Sequence, residues 1–205
     1  MFEFIANNAY IFWILVCIFL YLYVVGGDDI IFFRKKKYEV DPKADEKVNS
    51  ELSKFARSRD CVVMGPATVE FEGKEFSYDA LLLTYAGTFV ISKQATIGEV
   101  YAELTTAEWA QRWNGERKTI ANPLLPMKNG EKMLRELYRA EGCKYGITES
   151  IAVFTNRNAN VVAQRNVPVC HVTDLSKKLT DMKAATDNGA NIEAMKAAIE
   201  KHIKK

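Results

Sequence analysis

A chain can do chemistry through nucleophiles with bases, metal ligands or phosphate cradles, and this 205-residue sequence arranges few of them recognisably. Two histidines occur, His171 and His202. A Ser-His or Cys-His system would depend on His171 alone, and no nucleophile motif accompanies it. The cysteines are Cys17, Cys61, Cys143 and Cys170, with no C-x-x-C spacing among them. They form neither a zinc site nor a disulfide framework, and free thiols suit a reducing compartment. There is no glycine-rich phosphate loop, dinucleotide fingerprint or metal cluster of known spacing. What remains is charge. Lys93, Arg112, Arg117, Lys118, Lys128, Lys132 and Arg135 could form a phosphate-binding face. An ordinary solvated surface is the simpler reading, because no aromatic residues interleave with them. Trp109 and Trp113 could stack on bases, but aromatics more often fill cores.

The elements that must position these residues follow from periodicity and turn signals. Residues 44–57 predict a helix, with Val48, Leu52 and Phe55 at helical spacing. Short strands are expected at 61–64 and 67–71, and the latter turns at Glu72-Gly73-Lys74 into a long strand over 75–83. Ala86-Gly87 turns the chain again into an apolar strand at 88–92. Both of these later strands are apolar along much of their length, as in strands covered on two faces. A strand at 98–104 precedes a hairpin over 108–120, turned by Asn114-Gly115. Helix is expected at 129–141, strands at 150–154 and 167–172, and a helix from Asp174 to about Ala185. Asn191 caps a last helix whose Ile192, Met195, Ile199 and Ile203 share a face. This order predicts an α/β domain, a mixed central sheet flanked by helices.

Composition supports one such domain with a short appendage. Residues 1–33 hold no Lys or Arg, whereas residues 34–205 hold 28 basic and 23 acidic residues, a net of +5. A mild basic excess permits nucleic acid or anionic lipid as a partner without demanding either.

Residues 9–25 are seventeen residues without a charge. At helical rise they span about 25 Å, enough for a short transmembrane helix. Tyr10, Trp13, Tyr21 and Tyr23 suit the interfaces. A signal peptide would need a basic start and a small-residue cleavage site, and both are missing. Arg34-Lys35-Lys36-Lys37 follows the span, and the positive-inside rule puts the N-terminus outside and the domain in the cytoplasm. The expected organisation is an anchor at 1–27, a basic juxtamembrane linker at 28–43 and an α/β domain at 44–205.

Within that domain, Tyr78-Asp79, the apolar run to Thr84, Gly87, then Phe89-Val90-Ile91-Ser92-Lys93-Gln94 and Gly98-Glu99-Val100-Tyr101 resemble the NERD (nuclease-related) family. That family reads Ile-Asp-His, an apolar strand, a glycine turn, Phe-Val-Ile-Glu-x-Lys and Gly-x-Ile-Tyr-Gly. Trp113, Asn122-Pro123-Leu124 and the helix around Leu134 are similar to its Trp and Asn-Pro-Leu positions. The helix carrying Glu46 is similar to its opening Gly-Glu helix. The match spans roughly residues 46–145.

The resemblance implies a restriction-endonuclease-like core of the PD-(D/E)xK type. In such sites an Asp at one strand end and a Glu on the next hold a divalent cation, Mg²⁺ or Mn²⁺, that polarises phosphate and acidifies water. A Lys two residues after the Glu shares its strand face. Asp79 matches the family's Asp and is the implied metal ligand. Ser92 stands for the Glu, Gln94 for the Lys, and Pro126 for a Gln after Asn-Pro-Leu. Glu46 is the candidate second acid, and Glu99 a remote one. Lys93 is expected to point away from Ser92 and Gln94. The bland reading of Asp79 is a strand-end residue bonded to backbone.

The expectation is therefore a membrane-anchored, catalytically degenerate NERD-like domain that binds nucleic acid or protein and needs no cofactor. Two alternatives stand beside it. One is an active metal-dependent nuclease with a rearranged site built on Asp79 and Glu46. The other is a purely structural or protein-interaction domain.

Overall fold

The computed structural model describes residues 43–204 and, before them, Ile14, Val16 and Cys17. The chain divides into two compact units, Met1–Tyr38 and Glu39–Lys205. The expected transmembrane segment lies, but for those three residues, outside the described ones, as does the basic cluster after it. Among the described residues no helix is long and apolar enough to cross a membrane.

The second unit opens with helix α1 (Ala44–Arg57), whose bounds the apolar spacing predicts. Val48, Leu52 and Phe55 are buried, and the polar residues between them face outward. Five strands make the central sheet, in the order β1 (Val62–Met64), β4 (Ala80–Thr84), β5 (Gly87–Gln94), β9 (Ile147–Phe154), β11 (Val169–His171). The first three are antiparallel, and β5, β9 and β11 run parallel, so the sheet is mixed. Every residue of β4 is buried, as its continuous apolar run requires of a strand covered on both faces.

Strand alternation sends side chains into two cores. Ala80, Leu82, Phe89 and Ile91 pack with α1 and with Leu175 and Leu179 of α3 (Leu175–Asp181). Leu81, Leu83 and Val90 face the other way. They pack against Leu134, Leu137 and Tyr138 of α2 (Leu124–Ala140) and Met195 and Ile199 of α4 (Ile192–Lys201). The fold is mixed α/β with helices on both faces of the central sheet.

Several expectations need correction. The strands do not join one sheet. A ribbon of β2 (Ala67–Phe71) and β3 (Lys74–Tyr78) stands apart, as does a second sheet ordered β10 (Ala159–Ala163), β6 (Gly98–Ala102), β7 (Glu108–Trp113), β8 (Glu116–Ala121). The run expected as one strand over 75–83 breaks at Asp79, where the chain leaves the ribbon and enters the central sheet. Strand β10 carries no period-2 apolar signal and forms by parallel pairing with β6, a tertiary contact. Helix α2 starts five residues before the expected 129, and Pro126 sits in its first turn, where a missing N–H costs nothing. The helix after Asp174 ends at Asp181 rather than near 185, and Asp174 makes no side-chain cap. Asn191 does cap α4, accepting from the Ala194 N–H at 3.0 Å.

Both hairpin turns are as expected. Glu72-Gly73 and Asn114-Gly115 have positive φ throughout, which matches the twist of the strands they join.

Candidate functional site

Asp79 lies at the junction between β3 and β4, and the β4–β5 register places it opposite Ser92. Its Oδ2 accepts the backbone N–H of Lys93 at 2.7 Å. Ser92 and Gln94 project to one side of β5, as the period of two requires, and Gln94 Nε2 donates to Ser92 Oγ at 2.9 Å. Lys93 projects to the opposite side. Its side chain is only 12% exposed, and its Nζ pairs with Asp45 of α1 at 3.6 Å. The one cation adjacent to the site in sequence thus belongs to the other layer.

Asp79, Ser92 and Pro126 line one cavity of about 550 Å³ between the β2–β3 ribbon, β5 and the start of α2. Its walls are mixed, apolar from Phe76, Val90, Met127 and Met133 and polar from Lys74, Glu75, Ser77 and Asn129. Tyr78 also lines it. Among the described residues the Tyr78 hydroxyl has no hydrogen-bond partner, and burial pushes its pKa up to about 12. Glu46 does not line this cavity. It stands exposed in the first turn of α1, and the buried side of that helix packs on the opposite layer. Glu99 belongs to the second sheet, where its carboxylate accepts the Tyr101 hydroxyl at 2.8 Å. The structure therefore brings Asp79, Ser92, Gln94 and Pro126 to one neighbourhood and leaves the two other expected acids, Glu46 and Glu99, out of the cavity, where Glu75 of β3 stands instead.

This donor set does not suit a divalent cation. Mg²⁺ wants several hard oxygens in strict geometry. The cavity is lined by two carboxylates, Asp79, one oxygen of which already holds a backbone amide, and the exposed Glu75, which pairs with Lys204, with the Ser92 hydroxyl and the Gln94 amide beside Asp79. Among the described residues no three His, Cys, Asp or Glu side chains are grouped to hold a metal. What the arrangement can do is bind. It has a half-buried carboxylate at Asp79, an exposed one at Glu75, hydroxyl and amide groups, and walls that are part apolar and part polar.

The Asn-Pro-Leu segment has a structural role. Asn122 is buried, and its Nδ2 donates to Glu103 O at 3.2 Å and Thr106 O at 2.7 Å. Its Oδ1 accepts the Leu124 N–H at 2.9 Å, which satisfies an orphan donor at the start of α2. Trp109 Nε1 donates to the same Glu103 carbonyl at 2.7 Å, and the indole stacks on Phe154 in the core. Trp109 is a packing residue. Trp113 is half-buried against Gly98.

The seven basic residues do not share one face. Lys93 is taken by Asp45, Lys118 by Glu116, and Arg135 by Glu131 and the Thr148 carbonyl. Lys128 and Lys132 lie exposed on α2. Arg112 and Arg117 stand directly opposite one another across β7 and β8. Cys61, Cys143 and Cys170 are free, and burial pushes the Cys170 thiol up to about 12, so it is inert filling. No family model, no curated protein and no solved structure matches this chain.

Proposed function

We propose that this chain is a membrane-anchored, non-catalytic module of the NERD type, with a restriction-endonuclease-like core, that acts by binding nucleic acid or protein. The observation that carries this reading is the convergence of Asp79, Ser92 and Gln94. They occupy adjoining strand positions that a nuclease of this type gives to Asp, Glu and Lys, and they keep the face relation such a site needs. The family architecture is supported by α1, the antiparallel β4–β5 pair, the crossover through α2 and the parallel strand β9. Loss of catalysis is supported by chemistry. A hydroxyl in place of a carboxylate removes a metal ligand, and an amide in place of an ammonium removes the charge that orients water.

Membrane attachment rests on the charge-free run at 9–25 and the basic cluster at 34–37. That polarity puts the domain on the cytoplasmic side.

A cleavage assay tests the reading. The full chain in detergent is incubated with plasmid and single-stranded DNA in Mg²⁺ or Mn²⁺, beside Asp79→Ala. The expected result is intact DNA in every lane. Cleavage by the wild type that disappears in Asp79→Ala would overturn the non-catalytic assignment and restore a rearranged nuclease site.

A further inference from the structure

The four-stranded second sheet has one covered face and one open face. Val100, Ala102 and Trp109 point into the core. The alternate residues point outward, and the register aligns them in two rows. One row runs Asn160, Glu99, Arg112, Arg117, and the next runs Val162, Tyr101, Ala110, Thr119. All are exposed except the half-buried Glu99.

Three features of this face are unusual for mere solvent contact. Tyr85, Tyr101 and Val162 are the large apolar side chains left well exposed in the described domain, and the last two are direct cross-strand partners. Arg112 and Arg117 also face each other directly, an arrangement that repels and destabilises a strand pair. Among the described residues neither guanidinium has a carboxylate within ion-pair distance. Finally, the Tyr101 hydroxyl donates to Glu99 at 2.8 Å, which tethers the ring over the sheet.

We infer that this open sheet face binds single-stranded nucleic acid, with a base stacked on Tyr101 and a backbone phosphate held between Arg112 and Arg117. The inference deepens the binding-module reading above and rests on its nucleic-acid branch. An aromatic ring on a flat sheet accepts any base, since every base has a π-face. Two facing guanidiniums relieve their repulsion by sharing one phosphate. Glu99 and Asn160, in the arginine row beside Tyr101, are placed for the edge of the stacked base. A carboxylate there accepts an exocyclic amine, so cytosine and adenine fit better than thymine. The same carboxylate argues against an anionic lipid surface, whose net negative potential repels it. A duplex buries its base faces and gives Tyr101 nothing to stack on.

Fluorescence anisotropy on the full chain in detergent tests this. The probes are labelled oligo-dC, oligo-dT and a duplex, with phosphatidylserine vesicles as a separate arm. Oligo-dC is expected to bind most tightly and the duplex least. Tyr101→Ala is expected to weaken single-strand binding about tenfold. The double variant Arg112→Gln/Arg117→Gln is expected to flatten the plot of log affinity against log salt by about 0.7, the loss of one phosphate contact on a single strand. Because these side chains are exposed, Tyr101→Ala is expected to stay folded with a urea midpoint close to wild type, and the double variant, relieved of its facing charges, to match or exceed wild type. Wild-type binding that both variants retain would remove this face as the site while leaving the binding-module reading intact. No binding to any oligonucleotide would overturn the inference and leave only the protein branch. Vesicle binding without oligonucleotide binding, lost in the same variants, would reassign the face to lipid.

Discussion

The Asp79 carboxylate accepts the Lys93 backbone N–H at 2.7 Å, tying the head of β4 to the tail of β5. That bond joins the two positions where the candidate site meets the central sheet. It also gives Asp79 a role that needs no metal. Charge-assisted bonds of this kind contribute about 1.5–3 kcal/mol when shielded, and less where water reaches them. Asp79 is half-buried, so Asp79→Ala is expected to cost about 1–2 kcal/mol in urea unfolding. Asp79→Asn keeps an acceptor and is expected to cost less. An Asp79→Ala variant as stable as wild type would remove the structural role.

Asn122 is expected to be more sensitive. Truncation to alanine would leave the Thr106 carbonyl and the Leu124 N–H without their partner inside a buried corner. Each orphaned group costs about 1–3 kcal/mol, so Asn122→Ala is expected to lose about 2–4 kcal/mol. Asn122→Asp retains only the acceptor half and is expected to fall between. Thermal unfolding of the three proteins checks the order.

Gly130 in α2 allows the Phe76 ring to lie against the helix backbone. A Cβ placed there would stand 2.2 Å from the ring. Alanine raises helix propensity, by about 1 kcal/mol, but the overlap outweighs it. Gly130→Ala is expected to destabilise by about 1–3 kcal/mol, with partial recovery in Gly130→Ala/Phe76→Leu. A stabilised single variant would show that the ribbon moves freely over α2.

Stability is expected to fall at both ends of the pH scale for identifiable reasons. His202 Nε2 at 3.0 Å and Lys201 Nζ at 2.8 Å hold the Glu141 carboxyl below its ordinary value. A lowered folded-state pKa means stability that is present above the unfolded value and lost as pH falls through the folded one. Glu141→Gln is therefore expected to flatten the acid limb. Tyr78 behaves in the opposite sense, since burial raises it to about 12. Its contribution is complete below the unfolded tyrosine value of about 10 and disappears as pH rises through about 12. Tyr78→Phe is expected to remove that alkaline loss and to be neutral or stabilising at pH 7, because it deletes an unpartnered buried hydroxyl. Urea midpoints across the pH range decide both.

Local patterns alone determined a good deal of this protein. Helix α1, the Glu72-Gly73 and Asn114-Gly115 hairpins, the Asn191 cap and the two-sided burial of β4 are written in period and turn chemistry, because each depends on neighbours in the chain. The face relation of Ser92, Lys93 and Gln94 was legible for the same reason, since a strand alternates whatever surrounds it. Tertiary structure decided the rest. An apolar stretch does not record which sheet it joins, so the break at Asp79 and the separate ribbon were invisible. Strand β10 exists only because β6 offers it an edge. The placing of Glu46 outside the cavity, and the meeting of Tyr101 with Val162 and of Arg112 with Arg117, are matters of packing and register. These are long-range pairings that no local spacing encodes.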